Sequence, residues 1–330
     1  MPSEWERADP GSGPIACSPP PGTAGQALDR DPMSTVLGLD IGGSKSRARL
    51  ARDHHVVAEA QASSASLTAA GQSRADAALT ELLAQLPESA TGLDAVCVGA
   101  AGLGGAPQTR DFLRAKLSPL TRSGAVLIVE DAALVLPAAG LTDGIAVICG
   151  TGSIAVGHAQ DRHQRAGGWG YLLGDEGSGY WIVRSAVRVL LDRYLRNEPP
   201  GPLGERLLGA AGVSGLDKLH GSFLARPEPP FWARYAPDVL DSGDPAAAAL
   251  TVAAASALAD LAVAVATALA APRALPVVLA GGLMDHPGLR TATTNAIAAA
   301  LPGSEIRRLT EPPVAGAVRL ALAAAAETSE

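Results

Sequence analysis

Val36-Leu37-Gly38-Leu39-Asp40-Ile41-Gly42-Gly43-Ser44-Lys45-Ser46 decides how the chain folds. Val36–Leu39 is a short apolar strand, and the glycines turn it into a second extended segment. Apolar positions resume at Ala48 and Leu50, then at Val56 and Val57. Alternation of period two after a tight turn is the pattern of a β-hairpin or meander. The same construction returns at Gly144–Cys149, which ends in Gly150-Thr151-Gly152-Ser153 and continues as Ile154–Gly157. Each copy then passes to helix and strand units. In the first half these are a helix around 71–86 closed by Pro87 and strands at Asp94–Val98 and Val126–Val129. In the second they are a helix from Tyr180 to Arg196, a strand at Pro276–Leu279 and a closing helix over 314–326 after Pro312-Pro313. This order implies an α/β chain of mixed sheets flanked by helices, with the cleft between the halves as the ligand site.

Composition narrows the function classes. A chain of 330 residues has room for two domains and a substantial core. The net charge of -7 argues against nucleic acid, because phosphate contacts need clustered Lys and Arg. Only Lys45, Lys116 and Lys218 are lysines, and the first lies inside a glycine turn. Cys17, Cys97 and Cys149 are odd in number and form no CxxC pair, which disfavours a disulfide framework or zinc site and suggests a reducing cytoplasm. Residues 1–32 are Pro/Gly/Ser-rich without an apolar h-region and read as a disordered leader, with Met33 as an alternative start. Residues 246–272 are nearly all Ala, Leu and Val, but Asp260 interrupts them, so a packed helix is expected rather than a membrane span. Segment 197–245 reads as an irregular insertion with short helices, its Trp232 and Tyr235 as local core. The histidines have no ligand spacing, and no GxSxG elbow is present.

Four glycine-rich stretches carry the candidate chemistry. In Asp40-Ile41-Gly42-Gly43-Ser44-Lys45 the turn frees backbone N–H groups for an anion and adds an ammonium, although an ordinary hairpin turn has the same look. A Walker A loop is excluded, since Gly-Lys-Ser/Thr is not contiguous and a strand follows. Gly150-Thr151-Gly152-Ser153 repeats the construction, and two such turns can clamp a polyphosphate. Ala280-Gly281-Gly282-Leu283 lets a flat ring lie on the backbone or else allows close packing. Gly167-Gly168-Trp169-Gly170-Tyr171-Leu172-Leu173-Gly174-Asp175-Glu176-Gly177-Ser178-Gly179 holds six glycines in thirteen residues. That density costs backbone entropy a plain connection would not need, which marks a binding loop. Asp131 closes an apolar strand, where a carboxylate can take a proton from a substrate hydroxyl or simply cap the next helix. Asp175 and Glu176 share that ambiguity, since acids are favoured before a helix.

Taken together these motifs resemble the sugar-kinase/actin/Hsp70 ATPase superfamily, and within it the BadF/BadG/BcrA/BcrD-type branch with N-acetylglucosamine and glucosamine kinases. The resemblance runs from Val36 to Leu322. It implies two actin-like ATPase (ribonuclease H-like) domains, 33–131 and 132–312, with a closing helix in 313–330 packed back on the first. It implies ATP and Mg²⁺ as cofactors and phosphorylation of an amino sugar at O6, most of all N-acetylglucosamine. Asp131 then corresponds to the general base and Asp40 to the Mg²⁺ position. Gly42, Gly43, Ser44, Lys45, Gly150, Thr151, Gly152 and Ser153 correspond to phosphate-binding positions, and Gly281 and Gly282 to the adenine site. Ser66, Gly168, Trp169, Asp175, Ser178 and Gly179 correspond to the sugar site.

Two departures concern the sugar pocket. Ser63-Ser64-Ala65-Ser66 stands where the family usually has an Asn, with Ser66 nearest to it, and Ala166 replaces a frequent Cys. Both imply a smaller, less hydrogen-bonded pocket, which leaves glucosamine as a close alternative. A redox-activating ATPase of the same branch is disfavoured because no cysteine is placed as a bridging cluster ligand. A sugar-responsive regulator is disfavoured because no helix-turn-helix pattern precedes Val36. A homodimer is a family-level expectation.

Overall fold

The computed structural model describes residues 34–103, 108–271 and 273–328; the leader 1–32 and the question of Met1 against Met33 lie outside them. Two five-stranded mixed sheets organise the chain. The first contains β1 (Thr35–Ile41), β2 (Lys45–Arg52), β3 (His55–Ser63), β4 (Ala95–Ala100) and β5 (Val126–Glu130), in the order β3-β2-β1-β4-β5. The second contains β6 (Gly144–Cys149), β7 (Ser153–Ala159), β8 (Arg162–Gly167), β9 (Val277–Ala280) and β10 (Ile306–Arg308), in the order β10-β9-β6-β7-β8. In each, the opening strand is central: an antiparallel meander runs to one side and two parallel strands lie on the other. The duplicated architecture expected from the two glycine turns is therefore present, strand for strand. It is the mixed α/β arrangement of actin-like ATPases.

β8 and β10 had no sequence expectation. β8 reads Arg-His-Gln-Arg-Ala-Gly, and its sides are mostly exposed or half-buried, as at a sheet edge, so it carries no apolar alternation. β10 has only three residues, too few for a periodicity. The segment 197–245 is more ordered than expected, folding into helices Gly201–Ala211, Leu216–Ala225, Pro229–Ala233 and Ala236–Leu240. Trp232 is fully buried there and stacks on Phe223 at 4.6 Å between ring centroids, the local-core role read from the sequence.

The helix Pro245–Leu269 is long and apolar enough to cross a membrane by length and composition. It lays Ala254, Leu258, Ala262, Val265 and Leu269 into the core over the second sheet. The opposite face turns outward and mixes alanines with Val252, Ser256, Asp260 and Thr267. Asp244 opens this helix, accepting from the Ala246 amide at 2.9 Å while Arg193 grips both of its oxygens at 2.8 Å.

The closing helix Val314–Thr328 packs against the first sheet, as expected, sharing a core with Val36, Ala95, Cys97 and Leu134. Contact is close enough to exclude side chains. A Cβ on Gly38 of β1 would stand 2.6 Å from the Val318 amide nitrogen. A Cβ on Gly316 would overlap the Leu134 carbonyl and come within 2.8 Å of the Ala138 nitrogen. The segment Asp131–Ala138, which leaves β5, is thus held beneath the closing helix. Gly316→Ala is expected to destabilise the protein by about 1–3 kcal/mol through overpacking, read as a lower urea midpoint with an unchanged slope.

Candidate active site

The strand ends bring two carboxylates together. Asp40 is the penultimate residue of β1, and Asp131 follows β5, separated from it by β4. Burial raises the Asp40 carboxyl to about 6, and the neighbouring Asp131 charge pushes it the same way. Arg47 and Lys45 oppose that rise. Arg47 is cross-strand from Asp40 in the antiparallel β1–β2 register. No motif singled it out, but its place six residues beyond the strand's last apolar residue was countable once the hairpin was assumed. Burial also raises Asp131, and the adjacent Glu130 charge adds to it, while the Ala132 amide donating to Oδ1 at 3.0 Å works against both. Asp131 is the first residue of a 3₁₀ turn whose N-cap position, Glu130, makes no side-chain cap contact, so the Ala132 amide engages one Asp131 oxygen locally without capping the turn.

The first turn is tight: the Gly42 amide donates to the Lys45 carbonyl at 3.0 Å, and Gly43, Ser44 and Lys45 are exposed. Ser64 closes over it, its hydroxyl donating to the Gly42 carbonyl at 2.7 Å. The second turn is built alike, with the Gly150 amide donating to the Gly152 carbonyl at 3.0 Å. Space beside Gly43 and Gly150 is open. Gly281 has φ +92°, and a Cβ there would overlap the Cys149 carbonyl, so it serves close packing of β9 on β6. Gly282 beside it faces open space and retains room for a flat ring.

The expected sugar residues divide. Gly168 and Trp169 lie in an exposed loop, with the Arg165 guanidinium 5.0 Å from the indole centroid. Asp175 is half-buried with φ +64° and accepts from the Ser153 amide at 3.2 Å. Ser66, Ser178 and Gly179 are turned inward. The Ser66 hydroxyl is 1% exposed and shares a 2.9 Å hydrogen bond with the Thr68 hydroxyl, so the polar contact sought in this loop is spent inside the domain. Ser178 is wholly buried as the N-cap of the helix Gly179–Leu195, accepting from the Trp181 amide at 3.2 Å. Gly179 is buried against the Gly150 carbonyl, to which its amide donates at 2.8 Å. Two surface hollows, lined by Ser34, Asp53 and Arg319 and by Gly140, Asp143 and Arg273, contain none of these residues.

The raised Asp40 carboxyl has a sign for stability. It titrates near 3.8 in an unfolded chain and at about 6 when folded, so the folded state takes up the extra proton between those values. Stability on its account is greatest below the unfolded value and is lost as pH rises through about 6. Asp40→Asn is expected to melt higher than the parent at about pH 7.5, with the difference gone at about pH 4, in metal-free thermal denaturation.

Comparison with known proteins bears on the same regions. The BadF/BadG/BcrA/BcrD ATPase family profile matches residues 37–194, which contain both turns, Asp131 and the Gly167–Gly179 loop. The N-acetylmuramic acid/N-acetylglucosamine kinase of Clostridium acetobutylicum is 34% identical over 172 residues, 49% of this chain. That match spans about half of the Clostridium protein, 55% of its length. The N-acetyl-D-glucosamine kinase of Dictyostelium discoideum is 28% identical over 310 residues, covering 87% of this chain and 97% of that one. A crystal structure assigned as an N-acetylglucosamine kinase, from Chromobacterium violaceum, superposes with a TM-score of 0.71 at 28% identity, over 88% of this chain and 99% of that one. Motifs, strand order and these matches agree in what the chain is similar to: the BadF/BadG/BcrA/BcrD ATPase family, whose profile covers residues 37–194.

Proposed function

We propose that the protein is an ATP-dependent kinase of amino sugars, acting at O6 and foremost on N-acetylglucosamine, with glucosamine as the second acceptor. The observation that carries this reading is the convergence of Asp40 and Asp131, two buried carboxylates of which the charge on Asp131 adds to the cost of ionising Asp40, beside a glycine turn. A cation beside them relieves that cost. The donor set of hard oxygens suits Mg²⁺, which is usually held by one or two carboxylates together with substrate phosphates. When bound, the ion supplies charge neutralisation of the phosphates; Asp40 is the residue that would hold it.

The two turns present backbone amides, and Lys45 an ammonium, to the phosphates of ATP from the two halves, 33–131 and 132–312. Gly282 offers its open face to the adenine. Asp131 accepts the O6 proton as that oxygen forms its bond to the γ-phosphorus and the bond to ADP breaks, so charge is conserved and no covalent enzyme intermediate is needed. Its raised affinity for a proton makes it a better base than an ordinary Asp. Most of the rate comes from positioning and charge stabilisation, so a sparse set of residues suffices.

With Mg·ATP and separate acceptors, ADP release is expected to be saturable and highest on N-acetylglucosamine, followed by glucosamine, with glucose and N-acetylmannosamine behind. ADP release indifferent to every sugar would overturn the kinase reading. Asp131→Asn is expected to lower kcat by about 10²–10⁴-fold while nucleotide affinity by calorimetry stays within about threefold. Turnover near the parent's would remove Asp131 from the base role.

A further inference from the structure

Ser153 stands in the second glycine turn, among the positions matched to phosphate binding, yet its polar groups face elsewhere. The side chain is 3% exposed, and its hydroxyl donates to the Glu176 carbonyl at 2.7 Å. Its amide donates to the Asp175 carboxylate at 3.2 Å, and its carbonyl accepts from the Gly168 amide at 3.0 Å. One residue thus holds both ends of the loop running from Gly168 to Glu176. Between those ends the loop leans outward, with Trp169 64%, Leu172 78% and Leu173 82% exposed. Beyond its base the loop is held by the Leu173 and Gly174 amides, which donate to the Gly170 carbonyl at 3.1 and 2.8 Å, by Tyr171, which meets Tyr180 edge-on at 5.3 Å and accepts from Arg184 at its carbonyl at 3.4 Å, and by Arg165 across Trp169. Asp175, at φ +64°, sits in a backbone conformation that costs a non-glycine residue energy and persists only where its surroundings impose it.

The Asp175 carboxylate also packs on the Gly152 backbone, where a Cβ would meet Oδ2 at 2.8 Å. The loop and the turn therefore interlock directly, and the lock is made at Ser153.

We propose that Ser153 is a positioning residue for the acceptor sugar: it clasps the Gly168–Glu176 loop to the second glycine turn, setting where the sugar lies relative to the phosphate, and its hydroxyl does not bind nucleotide. The inference rests on the kinase reading above. It separates two neighbours in the same turn, Thr151, which is left to face the nucleotide, and Ser153, which faces the sugar loop. Small displacements of a bound acceptor are costly because transfer requires near-attack alignment.

The test is steady-state kinetics with both substrates varied, on Ser153→Ala, Ser153→Cys and Ser153→Thr, together with hydrogen exchange of the loop in the full-length protein. Alanine and cysteine remove the strong hydroxyl donor at nearly conserved volume, and threonine retains it. Expected is a fall of about 10- to 100-fold in kcat/KM for N-acetylglucosamine in the first two, with KM for ATP within about twofold of the parent and substantial recovery in Ser153→Thr. Amides of residues 168–176 are expected to exchange faster in Ser153→Ala, while those of the second sheet keep their protection. A rise in KM for ATP equal to or exceeding the sugar effect would overturn the proposal, assigning Ser153 to the nucleotide. So would unchanged kinetics, or a loss of protection spread over the whole domain, which marks a merely structural serine. If the parent itself shows no sugar-dependent ADP release, the kinase reading fails instead, and loop exchange in Ser153→Ala still decides whether the clasp exists.

Discussion

Contact between the closing helix and the first sheet, at backbone distance, is the constraint on which the remainder of the site depends. Gly38 in β1 and Gly316 in the helix leave no room for side chains, so the helix settles against β1 and against the segment that follows β5. Leu134 is caught between, its side chain filling the space above Gly99 and its carbonyl facing Gly316. Asp131 begins that same segment. A residue from the last tenth of the chain thereby determines how the carboxylate after β5 is held. Dispersion at such close approach falls off steeply with separation, so the geometry has little slack.

Electrostatics at the strand ends works against stability. Asp40 and Asp131 are both drawn above the ordinary carboxylate range by burial, and their proximity adds to the cost. Arg47, opposite Asp40 in the β1–β2 register, offsets part of it. Buried like charges are retained where a site is preorganised for a ligand that relieves them, a common reason for strongly perturbed carboxylates in enzymes. The second half shows the contrasting case in Asp244, held down to about 2 by the paired guanidinium of Arg193 and by backbone donors, a carboxylate in purely structural service.

The duplicated sheets explain why two glycine turns are needed. Each central strand, β1 and β6, carries a turn directly to its antiparallel neighbour, so each half presents backbone amides at the equivalent place. The turns nevertheless differ in what lies beyond them. The first is covered by Ser64 from the end of the β3 connection. The second is interlocked with a long glycine-rich loop through Ser153, Asp175 and Gly179. Under the proposed kinase reading, that asymmetry assigns one turn chiefly to the nucleotide and the other to both substrates.

What the sequence determined by itself was whatever rests on local periodicity and turn chemistry. The two strand–glycine turn–strand copies, the strands at 95–100 and 126–130 (the first wholly buried, the second buried only at Ile128), the long alanine-rich helix and the closing helix were all legible because apolar spacing and glycine or proline punctuation act over a few residues. The resemblance to the BadF/BadG/BcrA/BcrD ATPase family was legible because its glycine motifs occur in order along the chain. Edge strands β8 and β10 were not, since pairing with a neighbour, not an apolar pattern, makes them strands. Nor was the direction in which Ser66, Ser153 and Ser178 point. A serine hydroxyl is small enough to serve either a ligand or the protein, and its choice is made by partners brought close in folding: Glu176 lies 23 residues from Ser153, and Asp175 lies 22. Only the tertiary structure decides which polar groups are spent internally, because the cost of leaving a buried donor unpaired is paid by the whole fold and not by the local segment.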